Sequence, residues 1–354
     1  MPNAHKPVVG ITIGDINGVG VEVILKTFAD NRMFEGCTPL IYGSSRLLSA
    51  NRKALNLPNF NFNILKEDFK LSLNALNVVN LWEEDLTPSF GTPNPAWGKY
   101  SRMSIEKAMA DFDAGHIQAI VTAPIDKSTI HSAEFPFAGH TEYFTRHFPG
   151  SESLMMMLGE NLRVCLATTH VPLKEVASSI STALLSKKIE LIRKSMVGDF
   201  GIDKPRVAVL GLNPHAGDHG LIGDEEEKII KPAIKAARDK GMLIYGPYPP
   251  DGFFGSGTYQ QFDVILALYH DQGLIPFKSL CFSSGVNFTA GLPLVRTSPD
   301  HGTAFDIAGK GVALEDSFRE AVFQAIDIYR WRHERAELTA NPLRRNNIQR
   351  ERYY

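Results

Sequence analysis

Three histidines stand where layered α/β proteins do their chemistry. His170 follows the apolar run 163–169, His215 comes shortly after the run 206–212, and His270 ends the run 262–269. In open α/β sheets, ligands bind beyond the carboxyl ends of the strands. Three imidazoles delivered to that edge suit a divalent cation, because imidazole binds zinc and similar metals and three protein donors leave positions open for a substrate. Taken singly, each histidine is an ordinary polar residue at a strand end. Taken together, in T-T-H-V-P, N-P-H-A-G and Y-H-D-Q-G, they read as a metal site, with Pro or Gly close to each where the chain turns away from the sheet. Asp271, beside His270, can either fix an imidazole tautomer as an acceptor or cap a helix.

A second group could hold an anion. Lys278, Asn287 and Arg296 sit at loop-like positions in an otherwise apolar stretch. Buried or half-buried cations need anionic partners. The chain carries 37 Lys and Arg against 39 Asp and Glu, a net charge of −2, so no basic field draws in nucleic acid or an anionic membrane. Any anion must be caught by local groups. Two cations and an amide after a metal ligand suit a phosphate and a carboxylate. The other reading is a set of structural ion pairs. In F-A-G-H-T-E, His140 and Thr141 follow a glycine at a helix start, whose free N–H groups favour an anion or make a simple capping turn.

Two glycine-rich segments complete the candidates. The loop Gly14-Asp15-Ile16-Asn17-Gly18-Val19-Gly20-Val21-Glu22 joins a strand to a helix without the G-x-G-x-x-G spacing, so a tight turn accounts for it. The segment H-G-T-A-F-D-I-A-G-K-G, residues 301–311, reads as a turn entering a short helix, with small residues that let a ligand approach.

The elements that must position these residues alternate. Strand-like apolar runs occur at 8–13, 40–42, 78–81, 119–122, 163–168, 206–212 and 264–268. Near-continuous runs of this kind fit strands buried on both faces. Helical periodicity places Ile105, Ala108, Met109 and Phe112 on one face, and Leu185, Ile189, Ile192 and Met196 on another, with Gly198 as a C-cap. A third helix spans about 225–238, kinked at Pro232, and a last one 317–331 shows Ala321, Val322, Ala325 and Tyr329. The pattern is α/β with a largely parallel sheet. A length of 354 residues suits two domains. The tail 332–354 is polar and Arg-rich and is expected to fray or clasp a partner. Three scattered cysteines, Cys37, Cys165 and Cys281, suit a reducing compartment. No apolar signal core and no membrane-length apolar run is present, so a cytoplasmic location is expected.

The motifs T-T-H-V-P-L, L-N-P-H-A-G, Y-H-D-Q-G, G-V-N-F-T-A-G-L-P-L-V-R-T-S and D-H-G-T-A, in this order, resemble the 4-hydroxythreonine-4-phosphate dehydrogenase family. The resemblance implies one divalent metal, zinc first with magnesium or cobalt as alternatives, on His170, His215 and His270. It implies substrate contacts at His140, Thr141, Lys278, Asn287 and Arg296, with Asp251 of P-P-D-G-F-F as a further acid nearby. It implies a homodimer whose active sites draw on both copies. The implied fold is that of the isocitrate and isopropylmalate dehydrogenases: two α/β/α domains around a cleft, residues 1–125 with 271–354 and residues 126–270. The 301–311 segment is similar to an element of those enzymes that lies against the adenosine half of the cofactor. That puts NAD, with NADP as the alternative, at His301, Gly302, Thr303 and Asp306.

The implied reaction oxidises 4-phosphohydroxy-L-threonine, with decarboxylation to 3-amino-2-oxopropyl phosphate, on the route to pyridoxal phosphate. A related group oxidises four-carbon sugar-acid phosphates such as threonate or erythronate 4-phosphate. Asp126-Lys127 in T-A-P-I-D-K leans toward that group's pattern, and G-L-I-P-F-K after His270 lies between the two. The first loop lacks both prolines of the family's G-D-P-A-G-I-G-P-E and should be less stiff. Phosphate acyltransferases share the broad fold but need no histidine triad. A metal hydrolase would suit the triad, yet no H-E-x-x-H helix occurs.

Overall fold

A computed structural model describes residues 6–57, 61–66 and 69–341. Its strands are β1 (Val8–Thr12), β2 (Thr38–Gly43), β3 (Phe62–Ile64), β4 (Leu76–Asn80), β5 (Ala119–Thr122), β6 (Leu154–Leu158), β7 (Arg163–Leu166), β8 (Arg206–Leu210), β9 (Leu243–Tyr248), β10 (Val264–Ala267), β11 (Val286–Ala290) and β12 (Val295–Pro299). They form one 12-stranded sheet in the order β3-β4-β2-β1-β5-β12-β11-β6-β7-β10-β8-β9. The fold is mixed α/β. Strands β2, β5 and β10 are buried at every residue, which is why their apolar runs are unbroken.

The sense of the strands changes across the middle of this sheet. From β3 to β12 every neighbour is parallel, and so is every neighbour from β7 to β9. Between them, β12 with β11, β11 with β6, and β6 with β7 are antiparallel. Three reversals leave the two parallel blocks running in opposite directions. Asn287 and Arg296 therefore do not sit in loops as the sequence reading had them. They lie on β11 and β12, short strands joined by a tight turn at Gly291, where φ is +87° and a Cβ would meet the Glu152 carbonyl. The turn signal G-L-P between them hid the hairpin.

The helices cover both faces. On Gly98–Asp113, Ile105, Ala108 and Met109 are buried as their spacing predicts. On Thr182–Phe200, Leu185, Ile189, Ile192 and Met196 face the core, and the Ser181 hydroxyl accepts from the Leu184 N–H at 3.1 Å. This helix passes through Gly198 and stops at Gly201, whose φ of +67° makes it the left-handed cap. At Pro232 the helical stretch is irregular: a π-helical turn, Glu226–Ile230, runs directly into the α-helix Lys231–Arg238, whose second residue is the proline.

The last helix is longer than its periodicity suggests, running from Asp316 to Ala340. Arg332 holds it down, donating to the Asp199 carboxylate and the Pro293 carbonyl, each at 2.7 Å. The expected fraying therefore does not start at 332, and residues 342–354 of that tail lie outside the described part. Among the described residues no helix is long and apolar enough to cross a membrane.

Candidate active site

A cavity of about 300 Å³ lies against the antiparallel centre of the sheet, lined among others by His140, His270, Lys278, Asn287, Arg296 and His301. Its innermost charge is Arg296, only 3 % exposed. The guanidinium donates to the Thr122 hydroxyl through Nη2 at 2.6 Å and Nε at 3.2 Å, and to the Thr289 hydroxyl through Nη1 at 3.2 Å. Among the described residues no carboxylate is within ion-pair reach of it. Burial pushes its pKa down to about 9. Such a group is poised for an anion that the chain itself does not supply.

Three further polar atoms in the cavity are buried without partners among the described residues: His140 Nε2, Asn287 Oδ1 and His301 Nε2. Buried polar atoms are rarely left unpaired, so three around one cavity mark a place built for something polar. Burial, and then the Arg296 and Lys127 charges, hold His140 well below the usual imidazole range, so it is neutral near pH 7. Burial also lowers His301, whose Nδ1 sits 2.9 Å from the Gly302 carbonyl. His140 opens the helix His140–His147, and Thr141 follows it into the cavity wall.

Lys278 lies on the helix His270–Cys281, with its Nζ 3.3 Å from Asp300 Oδ1. Burial raises the Asp300 carboxyl above the usual range, and Lys278 pulls it back. Asp300 and Glu142 line the cavity and were not singled out in the sequence, while Lys127, named there only within T-A-P-I-D-K, lines it too. The signals existed: Glu142 is the fourth letter of G-H-T-E, and Asp300 directly precedes His301.

The histidines divide. The His170 and His270 rings face each other across the cavity mouth, their centroids 6.2 Å apart. His270 Nδ1 pairs with Asp271 Oδ1 at 2.7 Å, and His170 Nδ1 lies 3.7 Å from Glu142 Oε1. Carboxylates on Nδ1 leave Nε2 for another ligand, as in metal-binding histidines. That donor chemistry fits a divalent ion. His215 does not join the pair. It lies on a left-handed turn, φ 53°, that carries it into an adjoining cavity with Asp251 and Asp271. Among the described residues of one chain, no three His, Cys, Asp or Glu converge on a metal position. Asp251 is thus beside His215 and not beside Arg296.

In the 301–311 segment, His301 and Gly302 reach the cavity. Thr303 instead packs on the first glycine loop: its carbonyl accepts from the Val19 N–H at 3.0 Å, and a Cβ on Gly18 would stand 2.9 Å from that oxygen. Asp306 is exposed, and no helix forms here, because Ala304 takes φ 45° and turns follow.

Residues 35–325 match the family described as pyridoxal phosphate biosynthetic protein PdxA. A 4-hydroxythreonine-4-phosphate dehydrogenase of Bacteroides thetaiotaomicron is 52 % identical over 342 residues, covering 96 % of this chain and 94 % of that protein. A D-threonate 4-phosphate dehydrogenase of Cupriavidus necator is 39 % identical, covering 92 % and 98 %. The crystal structure of a 4-hydroxythreonine-4-phosphate dehydrogenase from Klebsiella pneumoniae superposes with a TM-score of 0.80 at 34 % identity, covering 93 % and 99 %. The chain belongs to the PdxA family of pyridoxal phosphate biosynthetic proteins.

Proposed function

We propose that the chain is an NAD-dependent, metal-requiring dehydrogenase. Its substrate is 4-phosphohydroxy-L-threonine, oxidised and decarboxylated to 3-amino-2-oxopropyl phosphate. The observation that carries this reading is Arg296, a buried cation without a carboxylate, beside the unpartnered Asn287 Oδ1 and His140 Nε2. Those groups suit a small molecule with anionic ends and polar hydrogens. Bound NAD supplies the hydride acceptor, and a divalent ion, zinc first, supplies Lewis acidity at the hydroxyl being oxidised.

The chain's own groups orient and hold. Arg296 binds one anionic end, and Lys278 leaves Asp300 to bind another. His140, kept neutral by burial, offers a hydrogen bond without adding charge. Asn287 Oδ1 accepts from a substrate O–H or N–H. Fixing both ends sets the carbon that loses hydride toward the His301–Gly302 side, where the cofactor is proposed to lie. Thr303 supports that side by its bond to Val19.

The metal reading rests on the paired imidazoles and their carboxylates, with His215 as third donor. A homodimer with shared sites belongs to the same reading. Ile275 on the His270 helix and Phe282 at its end, at 65 % and 84 % exposure, offer it an apolar face. The two-lobe division of the sequence, residues 1–125 with 271–354 and residues 126–270, is kept with its second boundary moved past Cys281, because helix His270–Cys281 packs on β7 and β10. A cytoplasmic location and the absence of nucleic-acid or membrane partners complete the proposal.

The test is NADH formation with metal-replete enzyme on 4-phosphohydroxy-L-threonine, beside D-threonate 4-phosphate, the substrate named for the Cupriavidus relative. Activity on the first that is abolished by a chelator and by His215→Ala supports the proposal. Turnover of the second substrate alone overturns the substrate, and full activity after chelation overturns the metal.

A further inference from the structure

Glu226 is 1 % exposed, yet it makes no ion pair among the described residues. Its carboxylate is spent on one stretch of backbone. Oε1 accepts from the N–H groups of Leu212 and Asn213 at 2.7 and 2.8 Å, and Oε2 accepts from the Asn213 side-chain amide at 2.9 Å. It also fills the inside of the loop that follows: a Cβ on Gly217 would stand 2.6 Å from Oε2, and one on Gly211 3.3 Å from Oε1. At Gly217, whose φ is +80°, a side chain would be strained as well as crowded.

That loop is strained. His215, Ala216, Asp218 and His219 have φ of 53°, 51°, 40° and 56°, around Gly217 at 80°. Non-glycine residues avoid this region, and successive ones persist only where their surroundings dictate them. Glu226 is the buried carboxyl group beneath the loop, and it opens the π-helical turn Glu226–Ile230, an irregularity that recurs at functional sites. The same loop is tied to the His270 helix. Gln272 donates to the Gly211 carbonyl at 2.6 Å and accepts from the Leu268 N–H at 2.7 Å.

We infer that Glu226 is a positioning residue that holds the 211–219 loop so that His215 is presented beside the end of β10, where His270 begins. The inference rests on the reading of His215 as a metal donor. Zinc binding to the full chain, measured by calorimetry, tests both and separates them. Glu226→Ala should weaken zinc binding by about 10- to 100-fold, the usual effect of removing a group that orients a ligand. The loss should vanish when His215→Ala is already present, because Glu226 acts through that ring. Glu226→Gln keeps an oxygen for the two backbone donors and should lose less. It also carries the test if the alanine variant does not fold, by the same comparison with and without His215. Parent-like zinc affinity in the Glu226 variants, or losses that simply add to that of His215→Ala, overturns the inference. If His215→Ala binds zinc as the parent does, the metal reading itself has failed, and this inference falls with it.

Discussion

The candidate site has two unlike ends. At the anion end, Arg296 and His140 are almost fully buried and held by strands and a helix start. At the histidine end, His170 and His215 are exposed, and His215 rides on a left-handed loop. The first end is built before any ligand arrives, while the second brings two rings together and leaves the third outside. Preorganisation by burial needs only one chain. Convergence of exposed side chains from separate strand ends needs something more, an ion or a second copy.

The sharpest way to break this contrast is Arg296→Met. Losing a buried charge partner costs about 2–5 kcal/mol, so kcat/KM should fall by roughly 30- to 5,000-fold. The ligand-free chain should unfold no earlier than the parent, because an uncompensated buried cation is removed with it. Steady-state kinetics and a melting curve check both halves. A variant that keeps its kcat/KM would show that the anion end is not where substrate is held. Lys278→Ala should do less, about tenfold in kcat/KM, since its side chain is 44 % exposed and its partner Asp300 remains. Equal losses for the two variants would erase the distinction between a built end and an adaptable one.

Subunit mixing sharpens the contrast further. If the two ends of one site come from different copies, Arg296→Met and His215→Ala chains should complement each other. Random reassociation would then restore about a quarter of parental activity, and no recovery on mixing would place both ends in one copy. The smallest effect concerns pH. His140 and His301 are held below their unfolded value of about 6.5. Between about pH 6.5 and 5 the unfolded chain therefore binds protons that the folded chain refuses, and stability falls as pH falls. Melting curves across this window should show it, and His140→Gln should flatten the slope. An unchanged slope would mean that the anion end tolerates a charged imidazole.

Much of this was legible in the sequence, for physical reasons. Strands β1, β5, β7, β8 and β10 are buried runs, and burial on both faces leaves an unbroken apolar signature. The histidines stood out because each follows such a run. Strands β11 and β12 did not, since V-N-F-T-A and V-R-T-S-P place polar side chains toward a cavity and so break the pattern of a buried strand. The left-handed turn at 215–219 has one glycine in five residues, so nothing local announces it. Glu226 is one of four consecutive acids, Asp224 to Glu227, and only the fold distinguishes the one that turns inward. Family motifs supplied residue roles, but not which residues one chain brings together.

The central place of β11 and β12 bears on how the chain is made. Residues 286–299 fill the gap between β5 and β6, whose residues leave the ribosome far earlier. Both flanks of the sheet thus exist before the piece that joins them, each with a raw edge waiting. Such contacts, distant in sequence, are slow to form, and the waiting edges are the places where nascent chains would stick to one another. The same late-arriving hairpin carries Asn287 and Arg296, so a chain that has not closed its sheet has no anion pocket either.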